Sequence, residues 1–205
     1  MIVNRRFLIH SRRWAKALLA LAFCAVAGCS HMPVTSMVKL ARVDFANTDP
    51  AQFRAAVKLP RSLKLRAQGV ALRIGVKISG GHEEFQDFML REMSDPGDML
   101  VLNKELDANT HIFAYRLDPG EVDRLVAFRD ALKKKQAASG RRGGSITISI
   151  RPDACRRGDL PASPVYVTTY VQTAETGGYI PLARDVDLRT ASPGRDAAAE
   201  IPPCG

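Results

Sequence analysis

A histidine followed by two glutamates, His82-Glu83-Glu84, stands behind a pair of glycines. These side chains can bind a metal or exchange protons. A helical zinc site of that type needs a second histidine four residues after the first, and position 86 is glutamine. The stretch is therefore expected to be an exposed polar turn. Asp185 and Asp187 alternate along "ARDVDL" and fall on one face of an expected strand. Such a pair can share a proton or a cation, but it also suits the solvent face of an edge strand, which is the expectation here. His111 shares a strand face with Phe113, Tyr115 and Leu117, as expected for a half-buried structural histidine. Thr168, Thr169 and Tyr170 offer hydroxyls with no base in sight to activate them. The chain has no G-x-S-x-G elbow, no phosphate-binding glycine loop and no cysteine near a plausible histidine partner. No catalytic residue, metal site or cofactor is assigned.

The four cysteines are more informative. Cys24 and Cys29 follow a basic N-terminus (Arg5, Arg6, Arg12, Arg13, Lys16) and an apolar run. That run is shorter than the ~20 residues a membrane helix needs. A charged start, a short apolar stretch and small residues at the end form an export signal. Val26-Ala27-Gly28-Cys29 resembles the lipobox of bacterial lipoproteins. The resemblance covers the leader alone. It implies removal of residues 1–28, a diacylglycerol on the Cys29 thiol, and a tether over 29–36. Ser30 stands where an aspartate would favour the inner membrane in that family, which points to the outer membrane with the domain facing the periplasm. Two Arg-Arg pairs raise twin-arginine export, but "SRRWAKAL" lacks the full pattern, so the general secretory route is expected.

With the leader gone, Cys155 and Cys204 are the remaining thiols, in a compartment that permits disulfides. They have no CxxC spacing. A bond between them would clip the C-terminal tail, residues 191–205, onto a single domain over 37–190.

Charge excludes little. The full chain has 30 Lys+Arg, 21 Asp+Glu and a net charge of +9. Five of the basic residues and none of the acidic ones lie in the leader, so the remainder carries +4. That balance gives no reason to expect a nucleic-acid partner. Lys133, Lys134, Lys135, Arg141 and Arg142 form a local basic cluster. It could touch anionic lipid. It could equally be a helix end, where the dipole favours cations, and a soluble loop.

The elements expected around these residues make an α+β domain. Its sheet is mainly antiparallel, with five to seven strands and two helices. "MVKLARVDF" reads as a first strand and "TDPAQFRAAVKL" as a helix capped by Asp49. Residues 70–78 alternate cleanly. Residues 83–93 fit a strand antiparallel to them, with a helix as the competing reading, and 99–106 a further short element. Residues 110–117 form a strand. A helix follows from Pro119, capped by Asp118, with Glu121 in a capping-box position and Lys133–Lys135 in its last turn. Its apolar stripe (Val122, Leu125, Val126, Phe128, Leu132) contains an intruder, Arg129, which must snorkel or have a partner. Strands at 145–150, around 164–172 and from 179 complete the list, the last marked as an edge by Pro181. A repeat of strand, Asp-Pro, helix and strand raises a decorated β-α-β-β-α-β core.

The role expected from these observations is that of a lipid-anchored, non-catalytic envelope protein, structural or binding another envelope component. The alternatives are a tethered enzyme acting on cell-wall or lipid substrates and a module for a small apolar ligand using the Tyr-bearing face of 164–172. A deep pocket containing His82, His111 or the Asp185/Asp187 pair would favour the enzyme. An apolar cavity would favour ligand binding.

Overall fold

The computed structural model describes residues 31–78, 81–139 and 144–205. The leader, Cys29, Ser30, Arg141 and Arg142 lie outside them. Residues 32–205 form one compact unit. It is an α+β domain. Seven strands make one sheet: β1 (Arg54–Pro60), β2 (Leu63–Ile78), β3 (Glu83–Met93), β4 (Thr110–Leu117), β5 (Gly144–Arg156), β6 (Tyr166–Gln172) and β7 (Ile180–Asp187). Three α-helices join them among the described residues: α1 (Val34–Leu40), α2 (Pro96–Leu102) and α3 (Pro119–Ser139). The strand order is β5-β2-β3-β4-β1-β6-β7, and every neighbour is antiparallel.

That order forces curvature. β1 and β2 are joined by two residues, Arg61 and Ser62, yet β4 and β3 lie between them in the sheet. In a flat sheet that step would cross roughly 14 Å, three strand spacings. The chain manages it because the sheet curls nearly into a barrel. β2 begins opposite the end of β5 (Leu63 pairs with Arg156) and then bends at a bulge between Leu65 and Val70. Gln68 takes a left-handed φ of 57° in the bulge. At Gly69 a Cβ would come within 2.9 Å of the carbonyl oxygens of both Arg66 and Asp153, so only glycine lets the strands approach there.

The concave face holds the main core. Val57, Leu72, Ile74, Phe88, Leu117 and Val171 meet there from five strands, and α3 lies over them through Leu125 and Phe128. Phe88 meets Phe128 edge-on at 5.7 Å. The convex face has a smaller core: Leu102 of α2 packs on Ala56, Ile112, Ala114 and Tyr170. Both faces of β1 are thus covered, which explains its run of buried Ala55, Ala56 and Val57.

The C-terminal segment is part of this architecture. Ala198 is 1% exposed and Ile201 packs against the main core. The backbone of Arg156 donates to Pro202 and accepts from Cys204, both at 2.9 Å, and the Cys155–Cys204 disulfide fixes this pairing. The clip closes part of the open edge of β5, a place where an unpaired strand would otherwise present its hydrogen-bonding groups.

Several elements depart from the sequence reading. Residues 34–40 are a helix, since alternation of Val38 and Leu40 over so short a run does not separate strand from helix. The expected helix after Asp49 is a single 3₁₀ turn, Pro50–Gln52. The Asp49 cap is real, its carboxylate accepting from Ala51 N at 2.9 Å. Beyond it, Phe53, Ala55, Val57 and Leu59 alternate as a strand, and the small Ala55 had masked the period. Without that helix there is no β-α-β-β-α-β core. Lys133–Lys135 are not in the last turn of α3, which runs on to Ser139 and has no cation in its last turn. Val126 faces solvent rather than the stripe.

Candidate functional site

The curl leaves a cavity of about 640 Å³ on the concave side. Phe53, Leu72, Ile74, Ile148 and Leu182 line it from the sheet and the turn before β1, and Leu125 from α3. The segment from Met32 to Pro50 supplies the remaining wall, with Met32, Leu40 and Phe45 facing in. The volume falls within the range of small-molecule sites, and an apolar lining with few polar groups is their usual chemistry.

One strongly polar side chain reaches this lining from α3. Arg129 is 6% exposed. Its Nη1 donates to the carbonyl of Thr48 at 2.7 Å, and the guanidinium lies over the Phe45 ring at 5.4 Å. Its Nε is buried with no acceptor among the described residues. Burial lowers the Arg129 pKa, while the nearby carboxylates of Asp49, Asp130, Asp44 and Glu175 act the other way. Arginine remains charged under these conditions.

Two of those carboxylates, Asp44 and Asp49, line the cavity itself. Asp44 accepts from the Asn47 amide and from Ala46 N, which lowers its pKa. Asp49 is lowered by Ala51 N and the Gln52 amide. Glu175 accepts from the Thr48 hydroxyl at 2.7 Å and is lowered by it. The dense polar turns of "VDFANTDP" serve to hold Thr48 and Phe45 against Arg129. No family model, curated protein or solved structure matches this chain.

Other sequence candidates lie elsewhere. His82 is exposed in the β2–β3 turn. His111 stacks edge-on against Phe113 at 4.8 Å, and burial lowers its pKa. Asp185 and Asp187 do not form a pair sharing a proton. Asp185 takes a left-handed φ of 48° and exchanges two hydrogen bonds with Thr168, whose hydroxyl donates to its carboxylate at 3.1 Å and accepts from its N–H at 2.9 Å. Asp187 accepts from Val165 N, Arg189 N and the Thr190 hydroxyl, so its carboxylate ties the residue before β6 to the turn after β7. A second cleft, about 530 Å³, includes Asp185 with Lys58, Asp107 and Tyr166. It contains neither Asp187 nor any histidine.

The Tyr-bearing face of β6 is covered at one end and open at the other, where the exposed Tyr166 borders the second cleft. Tyr170 lies under α2, and its hydroxyl donates to Glu105 at 3.0 Å. The apolar cavity lies on the opposite face of the sheet. In the basic cluster, Lys135 is paired with Glu84 at 2.6 Å. Among the described residues no group of three or more His, Cys, Asp or Glu is placed to hold a metal ion. No described helix is long and apolar enough to cross a membrane.

Sequence reasoning singled out Arg129 as an anomaly in an apolar stripe. It missed Phe45, Thr48 and Glu175, which come together only when the sheet curls. The clue available was the run of turn-forming polar residues between two apolar segments.

Proposed function

We propose that this chain is an exported lipoprotein, anchored through Cys29 to the envelope, whose periplasmic domain binds a small apolar ligand. The observation that carries the binding role is the apolar cavity of about 640 Å³ under α3. The anchor rests on the lipobox resemblance. The exposed Val34, Met37 and Val38 on one side of α1 support it, since an apolar helix face suits the boundary of a bilayer. Four residues separate Cys29 from Val34, and the five steps between them reach at most about 18 Å. The outer membrane remains the preferred address, on Ser30.

Two experiments test this. Cys29→Ser should abolish fatty acylation and release the chain from membranes or block its processing. An unchanged lipidated product in membrane fractions removes the anchor. For the cavity, the full chain with ¹³C-methyl methionine is held in phosphatidylcholine nanodiscs and titrated with benzene. The Met32 methyl signal should shift with saturation, and Ile148→Trp, which fills the cavity, should suppress the shift. No saturable shift removes the binding role.

A further inference from the structure

The convex face of the sheet carries three arginines in register. Arg116 of β4 lies directly opposite Arg91 of β3 on one side and Arg54 of β1 on the other. Ala56 and Ala114, each two residues along its strand from Arg54 and Arg116, pack under Leu102 of α2, so the row projects from that same face. Directly opposed residues have Cβ atoms about 5 Å apart, and like charges so placed destabilise a sheet. The row contains two such repulsive pairs in succession. Local rules of this kind are broken mainly at functional sites.

The outer two arginines are held in place. Arg91 Nε meets the Asp118 carboxylate at 2.6 Å. Arg54 Nη1 donates to the carbonyls of Ala51 and Phe53, both at 2.9 Å, and its Nε stands 4.0 Å from Asp98. Arg116, between them, is exposed and belongs to none of the ion pairs among the described residues. Three guanidiniums thus share two carboxylates, and the one without a counter-charge is the middle one. Neighbours already fixed in place lower the ordering cost that a ligand must meet.

The side-chain type narrows the ligand. A guanidinium is a planar fork that engages two oxygens at once, which matches carboxylates and phosphates. A carboxylate has two oxygens and fills one fork. A phosphate monoester offers three terminal oxygens and about two negative charges near neutral pH. It can take Arg116 with one pair of oxygens and turn the third toward a neighbouring arginine.

We propose that Arg116, flanked by Arg91 and Arg54, binds the phosphoryl group of a phosphate monoester. This site lies on the opposite face of the sheet from the apolar cavity and depends neither on the occupant of that cavity nor on the anchor.

The test uses the ¹⁵N-labelled full chain in phosphatidylcholine nanodiscs, read through the backbone amide signal of position 116. Glycerol 3-phosphate and acetate are the probes, at matched ionic strength so that screening is equal. Glycerol 3-phosphate should shift the signal saturably and bind about tenfold more tightly than acetate, as one further hydrogen bond between charged groups allows. Arg116→Gln should weaken glycerol 3-phosphate by at least about that factor. Arg116→Lys, which keeps the charge and loses the fork, should also bind it more weakly than the parent. Without ligand, Arg116→Gln should unfold in urea no earlier than the parent, because it removes both repulsive pairs. Replacing part of the phosphatidylcholine by phosphatidic acid separates the sources. A shift before any soluble probe is added assigns a membrane headgroup, and a shift only with glycerol 3-phosphate assigns a soluble ligand. Acetate binding as tightly as glycerol 3-phosphate overturns the choice of phosphate. Full affinity in Arg116→Gln overturns the role of the row, and full affinity in Arg116→Lys overturns the forked contact. An Arg116→Gln chain less stable than the parent overturns the repulsion argument. No saturable shift with either phosphate source refutes the site.

Discussion

Reducing the Cys155–Cys204 disulfide should cost this domain a large share of its stability. The two cysteines are 49 residues apart, with Cα atoms at 4.9 Å. In the chain-entropy model, closing a loop of that length stabilises by roughly 4 kcal/mol. At ~2–4 °C per kcal/mol for a chain of this size, the melting midpoint should fall by about 8–16 °C. The structure adds a local effect. Arg156 pairs with Pro202 and Cys204 through its backbone, and its Nε donates to Ile201 O at 3.2 Å. With the bond gone this pairing can fray alone, uncovering Ala198 and Ile201 before the sheet opens. The assay is a thermal melt of the full chain with and without reductant, followed by amide exchange. Exchange over 196–204 should accelerate first, while amides of β1 and β4 stay protected. Reduced and oxidised samples that melt together, with unchanged exchange at 196–204, would refute the claim that the clip holds the tail.

Two further predictions concern the strands and their charges. Gly69→Ala puts a Cβ against two backbone carbonyls that cannot swing away, so a loss of about 1–3 kcal/mol is expected in urea unfolding. The Asp87 carboxylate forms a two-point ion pair with Arg73 (2.7 and 2.6 Å), and Arg73 lowers its pKa below the usual 3.8. A depressed carboxylate stabilises the fold above its unfolded-state value and loses that contribution as pH falls through the folded-state value. Asp87→Asn should therefore lower stability at neutral pH, with the difference from the parent vanishing in acid below 3.8. A difference independent of pH would show that the carboxylate charge is not involved.

The sheet was largely legible because its strands carry period-two patterns that do not depend on context: Leu72, Ile74 and Val76 in β2, and Ile146, Ile148 and Ile150 in β5. The long α3 was legible from Pro119 and its apolar stripe. Errors collected where local signals are short or mixed. Asp49-Pro50 is a sound helix start, but one turn later the alternation of Phe53, Val57 and Leu59 drew the chain into β1, and tertiary pairing prevailed over the cap. The same limit applied to the site. Arg129 looked wrong in its stripe, which was visible in one dimension. Its partners, at Thr48 and near Glu175, are far away in sequence and could not be found from spacing. The disulfide was accessible by elimination, because the lipobox resemblance accounted for one thiol and the leader for another.

The central place of β1 bears on how the molecule assembles. Residues 54–60 are made early, yet their two partners are residues 110–116 and 168–172. Whichever way the chain emerges, from a ribosome or through a membrane pore, this strand, covered on both faces, must wait more than a hundred residues for its second neighbour. Pairings so distant in sequence form slowly and leave edges open to strangers meanwhile. The nascent protein thus has a vulnerable interval set by strand order, during which an escort that shields bare backbone would have the most effect on yield.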